Sequence, residues 1–207
     1  MSLFMRQGQI VTVKGRRMKE DIRLDETAIA SDEIYKSHIL RLTRDEVRLP
    51  DGNTGIREIV HHNGAVAVIP LDDDGNVVVE RQYRYAHGRV LLEIPAGKLE
   101  STDEDPLSAA RRELREETGI TASEWTFLGM YLPSPAIFTE KIYLYLARGL
   151  CYGDTERDKD EFMTVEKMKL TALIDAVLRG EVEDGKTQVA ALKLSLLLAT
   201  GKCGGCV

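Results

Sequence analysis

Residues 97–120 constrain this chain more than any other stretch. They read Gly97-Lys98-Leu99-Glu100-Ser101-Thr102-Asp103-Glu104, then Asp105-Pro106-Leu107-Ser108-Ala109-Ala110-Arg111, and close with Arg112-Glu113-Leu114-Arg115-Glu116-Glu117-Thr118-Gly119-Ile120. This punctuation predicts a turn, a helix and a stop. Gly97 opens the turn. Asp105 is placed to cap a helix whose first turn holds Pro106, where a missing N–H costs nothing. Gly119 stands where a helix ends in a left-handed residue. On that helix Glu113, Glu116 and Glu117 fall at i, i+3 and i+4 and share an arc of roughly 100°. Leu107, Ala110 and Leu114 form an adjoining apolar stripe that packs on a core. Like charges at this spacing destabilise a bare helix by about a few tenths of a kcal/mol per pair. A cation between them relieves the repulsion, and carboxylate oxygens are hard ligands suited to Mg²⁺ or Mn²⁺. The simpler alternative is a solvated acidic face.

Composition narrows the partners. The chain has 207 residues, 43% hydrophobic and 30% charged, which is ordinary for a globular protein and long enough to bury a core without staples. A formal charge of −6 disfavours a nucleic acid held by phosphate contacts alone. It leaves open a small phosphorylated substrate whose charge is met by metal ions. The three cysteines, Cys151, Cys203 and Cys206, form no disulfide framework and suit a reducing compartment. Cys203-Gly-Gly-Cys206 has zinc-like spacing but no second ligand pair, so residues 201–207 are read as a flexible tail. Polar residues interrupt the apolar ones at the start, and the apolar run 189–200 contains Lys193 and is too short to span a bilayer. A cytoplasmic protein with no membrane partner is expected.

In chain order, residues 1–60 are expected to form an extension and a small antiparallel β unit, and 61–200 a catalytic domain. A strand is possible at 9–13. Strands are predicted at 35–42 and 45–49, and Pro50-Asp51-Gly52-Asn53 turns the chain into a return strand over 54–60. Further strands are predicted at 64–71, 76–84, 90–94, 125–132, 141–147 and 162–169. Helices follow at about 171–179 and 187–200, separated by a loop at 180–185. Asp72-Asp73-Asp74-Gly75 is a solvated turn, since a calcium loop needs more oxygen ligands. Strands on both sides of a central helix argue an α+β fold, a mixed sheet held between helices.

The stretch at 97–120 resembles the Nudix box: a glycine, five residues, Glu, seven residues, then Arg-Glu-apolar-x-Glu-Glu-x-Gly-apolar. Arg112 through Ile120 match its second half at every fixed position. Gly97 and Glu104 match the first half with one extra residue between them, a loop insertion. Arg81-Gln82-Tyr83-Arg84-Tyr85 and Glu93-Ile94-Pro95-Ala96-Gly97 look like the ADP-ribose pyrophosphatase branch, as does Pro133-Ser134-Pro135, followed by Ala136 where the branch often has glycine. The resemblance spans roughly residues 33–198. It implies a Mg²⁺-dependent cleavage of ADP-ribose to AMP and ribose 5-phosphate, with Mn²⁺ a possible substitute, in a homodimer whose N-terminal β unit packs on, or is exchanged with, the partner.

Cleaving a diphosphate needs cations on its non-bridging oxygens, an oriented water and a base. Glu113, Glu116 and Glu117 are the candidate metal ligands, and the resemblance adds the carbonyl of Ala96. Arg112 is read as an orienting ion pair for those carboxylates rather than a substrate ligand. The resemblance points to Glu140, in the loop after the marker proline Pro135, as the base; Glu116 or Glu117 is the alternative. Arg84 and Arg57 are candidates for gripping the diphosphate or the terminal ribose, because a guanidinium makes paired bonds to phosphate. Glu58 accompanies Arg57, and Pro135 is expected to face the substrate. The four histidines are read as structural, with His38 placed to flank the adenine. Two rival functions remain open: cleavage of a nucleotide sugar of the GDP-mannose type, and an ADP-ribose-binding module without hydrolysis.

Overall fold

The computed structural model describes residues 24–38, 40–156 and 162–201. The possible strand at 9–13 and the Cys203–Cys206 pair lie outside them. The first described sheet is antiparallel, with β1 (Thr27–Lys36), β2 (Arg41–Arg48) and β3 (Thr54–His61) in that order. The turn chemistry at 50–53 is as its residues demand. Gly52 adopts φ +87° and donates its N–H to the Leu49 carbonyl at 2.9 Å, and the Asp51 carboxylate accepts from the Asn53 N–H at 2.9 Å. The strand predicted at 35–42 is instead broken after Lys36. Ser37 donates its N–H to the Leu40 carbonyl and turns the chain without glycine or proline, which is why the sequence hides the break.

Two further sheets carry the rest. After β4 (Ala65–Pro70) and β5 (Asn76–Arg84) come a one-turn 3-10 helix (Tyr85–His87), β6 (Arg89–Glu93) and β7 (Ala96–Lys98). Then follow α1 (Pro106–Thr118), β8 (Ile120–Tyr131), β9 (Ile142–Tyr152), β10 (Met163–Lys169), α2 (Leu170–Leu178) and α3 (Gly185–Thr200). One sheet is ordered β7-β4-β9-β8 and the other β10-β5-β6. β4 and β9 run parallel, while the other named strand pairs are antiparallel.

β4 explains the layering. All of its residues are buried, and they alternate. Ala65, Ala67 and Ile69 join Leu173 of α2 and Leu194 of α3 in one cluster. Val66 and Val68 join Ala110 and Leu114 of α1 in another. The mixed sheet is therefore sandwiched between α1 and the α2–α3 pair, the α+β arrangement expected. Among the described residues no helix is long and apolar enough to cross a membrane.

Several boundaries differ from the sequence reading. β7, read as the opening of a turn, pairs with β4 through Ala67↔Ala96 and Val66↔Gly97. β8 begins at Ile120 rather than 125, and β9 runs on to Tyr152 rather than stopping at 147. Their added residues are largely solvent-facing, so they lack the apolar signal that marks a strand. α3 starts at Gly185 because Asp184 caps it, its carboxylate accepting from the Thr187 N–H at 2.9 Å.

Candidate active site

α1 is built as its residues require. The Asp105 carboxylate accepts from the Ser108 N–H at 2.9 Å and from the Ser108 hydroxyl at 2.8 Å. Gly119 ends the helix at φ +71°, its N–H donating to the Arg115 carbonyl. With Ala109, Ala110 and Leu114 buried against the sheet, the glutamate face is turned toward β7. Glu113 and Glu117 are only 9% and 4% exposed. Glu117 accepts from the Ala96 N–H at 3.0 Å. A Cβ on Gly97 would stand 1.9 Å from Cδ of Glu113, so only glycine lets this strand lie against the carboxylate.

Arg112 gathers the acidic groups. Its Nη1 lies 2.7 Å from Glu113 and 3.2 Å from Glu116, and its Nη2 lies 3.4 Å from Glu104 and donates to the Lys98 carbonyl at 3.2 Å. Burial works against its charge, but Glu113, Glu104 and Glu116 outweigh that and hold it protonated beyond an ordinary arginine. Glu104 also accepts from the Glu100 N–H at 2.6 Å. The lengthened loop therefore still folds back onto α1, as expected if Glu104 is the box residue. Among the described residues no three His, Cys, Asp or Glu side chains are drawn together as around a metal ion; Glu113 and Glu116 are turned to Arg112, and Glu117 to the Ala96 N–H. The donor set nevertheless fits a divalent cation: three carboxylates on one helix face, two of them buried, against a strand backbone kept bare by Gly97.

These groups form one wall of a cleft of about 880 Å³. Arg84, Glu93, Tyr131, Glu140 and Lys186 also line it. Nε and Nη2 of Arg84 each donate to Glu93 at 2.6 Å, a bidentate pair. Glu93 is 1% exposed and also pairs with Lys186, whose Nζ lies 3.0 Å from Asp184. Burial pushes the Glu93 carboxyl up, but Arg84 and Lys186 prevail and hold it below its ordinary value. The Thr187 hydroxyl accepts from the Ile94 N–H at 2.9 Å, tying the start of α3 to the link that leads into β7. The sequence reading gave Glu93, Asp184 and Lys186 no role. Their available signals were a carboxylate ending the apolar run of β6 and a lysine just inside a capped helix.

Glu140 enters the cleft on the loop between β8 and β9. Burial raises its carboxyl pKa, against the opposing pull of Lys186 and Lys98, and of His62 when that ring is protonated. His62, read from sequence as structural, lines the same cleft with its Nδ1 3.6 Å from Glu140.

The structure thus brings Ala96, Arg112, Glu113, Glu116, Glu117, Arg84 and Glu140 around one cleft. Arg57 and Glu58 sit on β3 outside its lining, and Arg57 forms an ion pair with Glu26. Pro135 is exposed and outside the lining, where Pro133 and Phe138 stand instead. His38 is exposed and also outside it.

The NUDIX domain model matches residues 61–192, and the model of the nucleoside diphosphate sugar hydrolase N-terminal domain matches residues 26–60. An ADP-ribose pyrophosphatase of Bacillus subtilis (strain 168) is 39% identical over 175 residues, covering 84% of this chain and 94% of its own. An ADP-ribose pyrophosphatase of Mycobacterium tuberculosis (strain ATCC 25618 / H37Rv) is 41% identical over 160 residues, covering 76% of this chain and 77% of its own. A solved ADP compounds hydrolase superposes with a TM-score of 0.76 over 89% of this chain and 100% of its own, at 20% identity, a likeness of fold alone. The box read at 97–120 and α1 both fall inside the matched segment, and the chain belongs to the NUDIX family.

Proposed function

We propose that this protein is a Mg²⁺-dependent ADP-ribose pyrophosphatase, hydrolysing the diphosphate so that water and ADP-ribose give AMP and ribose 5-phosphate. The observation that carries the reading is the identity of 39% and 41% with two proteins of that name across most of both chains. The cleft supplies the parts such a reaction needs. Glu113, Glu116, Glu117 and the Ala96 carbonyl would hold Mg²⁺, or Mn²⁺ in its place, which supplies positive charge on the non-bridging oxygens. Arg84 grips the diphosphate. Its Nε and Nη2 are bound to Glu93, so the guanidinium plane is fixed and Nη1 keeps its donors for phosphate oxygens. Glu140 takes the proton from the attacking water, a role its raised pKa favours by increasing its hold on a proton. Glu116 or Glu117 is the alternative base. Arg112 holds the glutamates in register.

The active form is a homodimer in the cytoplasm, with residues 1–60 as the dimerising unit, 61–200 as the catalytic domain and 201–207 as a tail. The separation of the β1–β3 sheet and the exposure of every β1 residue support this division. Arg57 and Glu58, on β3, act on the substrate in a partner's cleft, and Pro135 acts from the loop that carries Glu140. The rival substrate class is a nucleotide sugar such as GDP-mannose, because the box handles only the diphosphate.

Hydrolysis of ADP-ribose, GDP-mannose and ADP-glucose by the purified protein, with Mg²⁺ and with chelator, tests the reading. Fastest metal-dependent cleavage of ADP-ribose is expected. Faster cleavage of a hexose nucleotide overturns the substrate, and ADP-ribose binding without hydrolysis in excess Mg²⁺ overturns the activity in favour of a binding module.

A further inference from the structure

The loop between β8 and β9 is fastened to the far end of the N-terminal sheet. The Val60 N–H donates to the Ile137 carbonyl at 2.8 Å, and the Thr139 N–H donates to the Val60 carbonyl at 3.0 Å. Val60 and Phe138 form an isolated parallel bridge. Two residues after Val60, the His62 N–H donates to the Thr139 hydroxyl at 2.9 Å. The His62 ring lies against Phe138, with ring centroids 5.5 Å apart, and its side chain is 8% exposed.

We propose that His62 is a positioning residue for Glu140, and that with Thr139 it fastens the loop carrying the candidate base to the end of β3. The inference rests on the hydrolytic reading above. Its geometry is specific. The Gly64 N–H donates to Nδ1 of His62 at 3.0 Å, so in the neutral ring that nitrogen is an acceptor and the proton sits on Nε2. Glu140 therefore meets a lone pair at 3.6 Å, beyond hydrogen-bond range. The ring places the carboxylate without donating to it from Nδ1, and Glu140 keeps its oxygens for a water proton. A backbone ladder alone would hold the loop; the buried ring, packed against Phe138, also stands 3.6 Å from the Glu140 carboxylate.

The test compares kcat and KM of the full chain and its variants with ADP-ribose. His62→Ala is expected to lower kcat by roughly tenfold or more with KM changed less than about twofold, since only the reacting geometry is lost. His62→Asn keeps an acceptor for the Gly64 N–H and is expected to recover most of the loss. Thr139→Val, an exposed site that leaves the core untouched, is expected to lower kcat in the same direction. In a Glu140→Gln background neither substitution should lower kcat further, because the group being positioned is gone. A large Glu140→Gln loss with unchanged kcat in His62→Ala and Thr139→Val overturns the positioning role alone. Losses that persist undiminished in the Glu140→Gln background also overturn it, as they mark general damage. Undiminished kcat in Glu140→Gln overturns the base assignment and this inference together.

Discussion

Two glycines of the box show how one methyl group has different consequences at different places. At Gly97 an added Cβ meets the tip of the Glu113 side chain, which can swing away. At Gly119 it meets the Gly153 carbonyl oxygen at 2.2 Å, and φ is +71°. Gly97→Ala is therefore expected to raise the Mg²⁺ concentration needed for half-maximal rate at least about tenfold while shifting Tm little, because it displaces Glu113, a proposed ligand. Gly119→Ala is expected to lower stability by roughly 2 kcal/mol or more through backbone strain. Thermal melts and Mg²⁺ titrations separate the two. The carboxylates also differ. Burial raises the Glu140 pKa, so the acid limb of kcat against pH should sit above the ordinary glutamate value of 4.5 and disappear in Glu140→Gln. The Glu93 pKa is lowered, so its contribution to stability is complete above 4.5 and fades as pH falls through the folded value. Urea unfolding should show Glu93→Gln destabilised near neutrality, by roughly 3 kcal/mol as for a broken buried pair, with the gap from wild type narrowing below that value.

Among the elements, α1 was the most legible. Its cap, first-turn proline, stop glycine and two faces are local features, and local chemistry decides them. Asp105→Ala should cost about 1 kcal/mol in chemical denaturation through the lost bonds to Ser108. β7 was illegible for the opposite reason. Three residues with a central glycine carry no strand propensity, and Ala96–Lys98 is extended because β4 offers a partner. The same holds for the cation network. Arg84 stands out in sequence, but Glu93, Asp184 and Lys186 gain meaning only when β6 and α3 meet. His62 lacked any spacing signal, since its neighbour Glu140 arrives from a distant loop. Motif positions were therefore readable, and the groups that orient them were not.

For the whole molecule, Arg57 and Glu58 are the telling pair. They lie outside the cleft of their own chain on a sheet of their own, whereas Gly97, Arg112, Glu113, Glu116 and Glu117 of the box line it. If they serve a partner's cleft, two inactive variants should complement each other. Mixing Arg57→Ala with Glu117→Gln under subunit exchange should restore about one site in four, following random pairing of a symmetric dimer. Mixed activity no higher than the two separate activities would place Arg57 outside the chemistry. Sedimentation of the wild type tests whether a dimer forms.

The parallel pairing of β4 with β9 has a consequence for synthesis. Ala65 leaves the ribosome long before its partner Ile142, and the intervening hairpins and α1 cannot cover both edges of Val66-Ala67-Val68-Ile69. A β-prone apolar run, with only β7 available to one edge, thus waits with its β9 edge unpaired while the nascent chain lengthens. The closing of the central sheet is a late, long-range event, and it sets the window in which aggregation competes with folding. A fragment ending before β9 lacks the strand that completes the central sheet behind the glutamate wall.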